Sequence, residues 1–174
     1  AIAEVTRSQQ SLAHAQRLAR MGSWEWSLSD ARFACSDELR QLFGSDWKLA
    51  GAATVELFLS MVRESDRAAV NAARQALMID GQPYQISYGF CRPDGALREV
   101  FEQAEAVRDG SGRIVKIEGF TQDISERVEA QQRIEHLALH DGLTGLANRQ
   151  FFAQLAEVEL ERARREKSLC AILH

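Results

Sequence analysis

Residues 84–124 read YQISYGFCRPDGALREVFEQAEAVRDGSGRIVKIEGFTQDI, and this stretch decides the fold. Tyr84, Ile86, Tyr88 and Phe90 alternate with polar or small residues, the period of a strand with one buried face. Arg92-Pro93-Asp94-Gly95 is turn chemistry, with Gly95 supplying a positive φ. Leu97 to Val107 returns as a second strand. Asp109-Gly110-Ser111-Gly112 makes a second turn, and Ile114 to Ile124 forms a third strand.

Upstream, Trp24, Trp26 and Leu28 alternate with Ser23, Glu25 and Ser27, again a half-buried strand. Ser29-Asp30 turns the chain, and Arg32 to Cys35 makes a second short strand. Ser36 caps a helix through Phe43 that Gly44 ends. Thr54 caps another, with Val55, Leu57, Phe58 and Met61 apolar. Ser65-Asp66-Arg67 starts a longer helix through Met78, with Ala69, Val70, Ala73 and Leu77 as its face and Gly81 after its end. The order is two strands, several short helices, then three strands. No helix fits between adjacent hairpin strands, so the helices cross over. The fold class expected is α+β, one antiparallel sheet with a helical side.

Helical patterns flank this body. Residues 1–20 lack Pro and Gly and carry a seam at Ile2, Val5, Gln9, Leu12, Gln16 and Ala19. From Ser125 to His140 the pattern is helical again, with Ala130, Ile134 and Leu137 at coiled-coil steps. Asp141-Gly142-Leu143-Thr144-Gly145 breaks it, and Asn148 caps a last helix from Arg149 to Glu166. SLCAILH, residues 168–174, has the composition of an opening buried strand. The division expected is a seamed helix at 1–20, a central domain at 21–124, a helical linker at 125–140 and the start of a further domain at 141–174.

The 174 residues carry a net charge of −4, which gives no electrostatic footprint for nucleic acid. Apolar runs fall short of a membrane span, and Ala1-Ile2-Ala3-Glu4 is not a signal peptide. Lacking an initiator Met, the chain reads as cut from something longer, so a membrane tether would lie upstream. Cys35, Cys91 and Cys170 have neither disulfide nor metal spacing, which points to reduced thiols in a cytoplasm.

Five segments, in order, carry a family resemblance: ARMGSWEWSL (19–28), SDELRQLFG (36–44), SDRAAV (65–70), YGFCRPDGALREV (88–100) and GRIVKIEGFTQDISER (112–127). Together they resemble a PAS domain, with Asp123-Ile124-Ser125 as the family's closing Asp-Ile-Ser/Thr. The resemblance implies a five-stranded antiparallel sheet in the order 2-1-5-4-3, helices over one face and a pocket for a small-molecule ligand between. Some flavin-binding members use a tryptophan of the first strand, which makes Trp24 and Trp26 the candidate cofactor residues and flavin the candidate cofactor. The competing reading is that both indoles fill the core. Cys91-Arg92 looks like the reactive cysteine of the light-sensing branch but sits at a strand end. His14, His136, His140 and His174 all lie outside residues 29–128, which disfavours histidine-ligated haem. His136 and His140, four apart, read as a solvated linker face rather than a metal pair.

DGLTGLANR, residues 141–149, resembles the opening of the diguanylate cyclase (GGDEF) domain. That resemblance implies a sensory, dimerising PAS module that regulates cyclic di-GMP synthesis from two GTP in a bacterial signalling protein, with a phosphodiesterase domain as an optional addition further on. It places GTP and magnesium in the part of the catalytic domain beyond His174, so no catalytic or metal residue is assigned here and these residues alone are expected to be inactive. Signal transmission is expected through Asp123, Glu126, Arg127, Ile134, Leu137, Asp141 and Gly142 in a homodimer. The alternatives are a flavin-binding redox or ligand sensor and a ligand-free dimerisation module.

Overall fold

The computed structural model describes residues 14, 16–44, 55–169 and 171, with side chains omitted at 55 and 56. The chain divides into two compact units, residues 1–125 and 126–174.

The first unit holds β1 (Met21–Ser27), β2 (Arg32–Cys35), α1 (Asp37–Phe43), α2 (Val55–Met61), a 3-10 turn (Glu64–Asp66), α3 (Arg67–Asp80), β3 (Tyr84–Cys91), β4 (Leu97–Arg108) and β5 (Ile114–Asp123). The strands form one antiparallel sheet in the order β2-β1-β5-β4-β3, the α+β class and strand order expected. Local chemistry sets the element ends. Ser36 Oγ accepts from the Leu39 amide at 3.3 Å and caps α1. Gly81, at φ 71°, ends α3 by donating its N–H to Leu77 O. Gly22 lies where β1 and α1 meet backbone to backbone: a Cβ there would come within 2.5 Å of Leu39 Cα.

The core lies between the sheet and the helices and joins Trp24, Leu39, Phe43, Phe58, Val70, Leu77, Tyr88, Phe90, Val100, Ala104 and Ile117. Phe43 and Phe90 meet at 4.2 Å between ring centroids, and Phe58 packs beside both. Three sequence expectations shift. Of the two indoles, Trp24 is buried, whereas Trp26, two residues nearer the strand end, is half-buried. The long helix starts at Arg67, after the 3-10 turn, and runs two residues further than expected, to Asp80. Its inward face is Val70, Arg74 and Leu77; Ala69 is exposed, because a helix of 3.6 residues per turn carries position 69 away from the sheet.

Before β1, residues 16–18 are helical; Ile2, Val5, Gln9, Leu12 and the Thr54 cap lie outside the described residues. The second unit contains α4 (Ser125–Leu139) beyond its first residue, and α5 (Arg149–Glu166), which Asn148 caps by accepting from the Phe151 amide at 2.9 Å. Of the strand expected at residues 168–174, Ser168, Leu169 and Ala171 are in no strand, and residues 170 and 172–174 lie outside the described residues. Among the described residues no helix is long and apolar enough to cross a membrane.

Candidate functional site

A charged cluster sits in the core of the first unit. Glu102, on β4, is 1% exposed. Its Cα partners are Ile86 on β3 and Thr121 on β5, so Tyr84 and Tyr88 flank it diagonally on the same inward face. Oε1 accepts from Tyr84 Oη at 2.5 Å and from Arg74 Nη2 at 3.4 Å. Oε2 accepts from Tyr88 Oη at 2.8 Å and from Thr121 Oγ1 at 3.2 Å. One buried carboxylate therefore joins three strands and one helix.

Electrostatics follow from that geometry. Burial, and then the Glu102 charge, push the phenols of Tyr84 and Tyr88 well above their ordinary range. Burial pulls Arg74 down, but the Glu102 carboxylate outweighs it, so the guanidinium stays charged. Arg74 lies over the Phe58 ring, 3.7 Å from its centroid, and 5.9 Å from that of Trp24. Its Nε is buried without a hydrogen-bond partner. The cluster offers a donor to a bound acceptor at Arg74, while the hydroxyls of Tyr84, Tyr88 and Thr121 are committed to Glu102.

Trp24, a candidate cofactor residue, covers the bare backbone of Gly119, where a Cβ would fall 2.8 Å from its Cζ2. It stacks on Phe33 at 6.3 Å. Trp26 stands opposite Ile117 and Phe33. The sequence reading missed Arg74 and Glu102. A signal was present: the chain has two tyrosines, both on the inward face of one strand, and buried phenols need acceptors. Glu102 also keeps the two-residue period of Val100 and Ala104.

The sheet's other face bears an open depression of about 550 Å³ that includes Gln16, Met21, Ser23, Glu25, Glu118 and Phe120. Among the described residues there is no group of three or more His, Cys, Asp or Glu side chains able to hold a metal ion.

The expected transmission residues fall in two places. Asp123 Oδ1 accepts the amide of Ser125, the first residue of α4, at 2.9 Å, and the Asp123 amide donates to Arg20 O at 3.1 Å. Glu126 and Arg127 lie exposed on the first turn of α4. Ile134 and Leu137 are 62% and 57% exposed. Asp141 Oδ1 accepts from the amides of Leu143 and Thr144 and from Thr144 Oγ1, which holds its carboxyl below the ordinary range. The Asp141 amide donates to Leu146 O at 2.7 Å, and Asn148 Nδ2 donates to Ala138 O at 2.7 Å. Gly142 has room for a side chain; Gly145, at φ 71°, is the position of this turn that needs glycine.

Comparison with known proteins agrees with the topology. The family model described as PAS fold matches residues 32–121. The uncharacterized protein y4lL of Sinorhizobium fredii is 31% identical over 56% of this chain, which spans 13% of that protein's length. A sensory box histidine kinase/response regulator from Burkholderia thailandensis superposes with a TM-score of 0.57 at 19% identity, over 87% of this chain and 98% of that one. The N-terminal domain of a diguanylate cyclase with PAS/PAC sensor from Marinobacter aquaeolei superposes with a TM-score of 0.53 at 21% identity, over 62% of this chain and 98% of that one. Sheet order, inward face and family match converge, and the chain belongs to the PAS fold family.

Proposed function

We propose that this chain is the sensory input module of a diguanylate cyclase and acts, as a homodimer in the cytoplasm, through α4. The observation that carries the reading is the corner at Asp141–Asn148. There the DGLTGLANR segment folds into a hydrogen-bonded turn that joins the end of α4 to a capped helix. A linker held this way passes a rotation of α4 to whatever follows, because the turn has few free torsions left. Ile134 and Leu137, apolar and exposed on α4, supply the pairing stripe. Purified protein from the full reading frame should convert GTP to cyclic di-GMP with magnesium, and Ile134→Asp with Leu137→Asp should abolish the regulation or the activity. No product under any condition tried would overturn the reading.

A second reading, a dimerisation module without a ligand, is favoured by one observation. The Trp24 indole fills the sheet face over Gly119, where a planar cofactor such as flavin would need it to move. An absorption spectrum of the purified protein separates a flavin-bound sensor from a ligand-free module: flavin adds bands in the blue, and the ligand-free module absorbs as protein alone.

A further inference from the structure

Arg63 crosses the edge of the sheet. Its main chain lies between α2 and the 3-10 turn, beside edge strand β3, where its amide donates to Gly89 O at 2.8 Å and Val62 bridges Phe90. Its side chain reaches over Gly89 to the opposite face. A Cβ on Gly89 would come within 2.8 Å of the Arg63 guanidinium carbon, so only a residue without a side chain leaves this passage open. On that face Arg63 Nη1 donates to Glu99 Oε1 at 2.6 Å, and Nε donates to Asp66 Oδ2 at 2.9 Å. Asp66 Oδ2 also accepts the Gly89 amide at 2.8 Å.

Glu99 faces two ways. Its carboxylate holds Arg63, and its backbone holds the root of α4: the Glu99 amide donates to Ser125 Oγ at 3.0 Å, and the Ile124 amide donates to Glu99 O at 2.9 Å. The same root is tied to the segment before β1, through Asp123 N–H to Arg20 O and Gln122 Nε2 to Ala19 O. Arg67, the first residue of α3, donates to Val62 O and Ser60 O, so the segment that carries Arg63 is fastened to the helix that carries Arg74.

We propose that the Arg63–Glu99 pair over Gly89 is a relay, which carries a displacement of α3 around the sheet edge to the root of α4. Glu99 is a positioning residue: through its backbone bonds to Ile124 and Ser125 it sets where α4 begins. The proposal rests on the reading of α4 as the output helix.

Hydrogen exchange of the 174-residue chain tests it. Arg63→Gln should speed exchange at Ile124, Ser125 and the first turn of α4 about three- to fivefold, the scale on which a half-exposed ion pair shifts a local opening. Amides in the middle of β4 and β5 should keep their rates. Gly89→Ser crowds Arg63 away without changing a charge and should give the same pattern. Glu99→Gln, which removes the same pair and leaves Arg63 on Asp66, should give the same pattern as Arg63→Gln. The unaltered chain supplies a further arm: raising salt from about 0.05 to about 1 M screens the pair and should loosen the same amides first. Unchanged exchange at residues 124–127, or a uniform rise across the sheet, would overturn the relay. No cyclase activity enters the readout, so failure here leaves the input-module reading standing, and absence of cyclic di-GMP synthesis leaves the relay standing.

Discussion

Thr121 donates its hydroxyl to Glu102 across 3.2 Å from the neighbouring strand, and in doing so occupies the last acceptor position of a carboxylate already held by Tyr84, Tyr88 and Arg74. A charge in a protein core is tolerable when every lone pair is met, and this one is.

Both tyrosines of the chain donate to that carboxylate, which makes them a spectroscopic probe of it. Alkaline titration followed at 295 nm should show no tyrosinate near pH 10, where a free phenol ionises. The folded-state pKa values are raised, so the stabilisation is complete below about pH 10 and is lost as pH rises further. Tyrosinate should therefore appear together with loss of near-ultraviolet circular dichroism. A tyrosinate signal near pH 10 from the folded chain would show that the phenols are open to water.

Glu102→Leu should cost about 3–5 kcal/mol, since it strands two phenols, a threonine hydroxyl and a charged Arg74 in the core. Urea denaturation measures it. A loss under about 1 kcal/mol would mean that water reaches these groups and satisfies them.

Trp24→Ala should destabilise the domain by about 3–5 kcal/mol and Trp26→Ala by clearly less, on the order of 1–2 kcal/mol, because only the first indole is buried. The reverse ranking in chemical denaturation would reject the placement of Trp24 over Gly119.

Gly22→Ala should cost about 1–3 kcal/mol or more, because the new methyl meets the α1 backbone rather than a movable side chain. Leu39→Ala removes a side chain and leaves that backbone in place, so it should not rescue the variant in the same denaturation assay.

Self-association through α4 should be weak, with dissociation in the micromolar range. A narrow stripe of two or three apolar residues on each chain leaves only a small surplus over an association cost of about 4–15 kcal/mol. Sedimentation velocity at about 100 μM should show dimer, a concentration above that dissociation constant. Ile134→Asp with Leu137→Asp should leave monomer if α4 carries the pairing.

The β3–β4–β5 meander was readable because its determinants are local: alternation along each strand, and Gly95 and Gly112 at φ 83° and 84° in the turns. Ser36 and Asn148 were readable as caps for the same reason. Arg74 and Glu102 were not, because their meaning lies in a contact spanning 28 positions in sequence, and a charge within an apolar period reads alone as an interruption. Arg63 was hidden in the same way. Its partner is 36 residues away, and the clue is an absence, the missing side chain of Gly89. The unequal burial of Trp24 and Trp26 has a different cause: both point to one face, and only the helices above decide how much of that face is covered.

Met21, the first residue of β1, stands opposite Gln122, the next-to-last residue of β5, in adjacent antiparallel strands. The chain thus leaves the fold a few ångströms from where it enters. A segment of some hundred residues with this geometry behaves as a cassette. It can be spliced into a continuous helical stalk with little change in the spacing of what comes before and after. The only new demand is that the two cut ends sit side by side, and the β1–β5 ladder meets it with its own backbone hydrogen bonds.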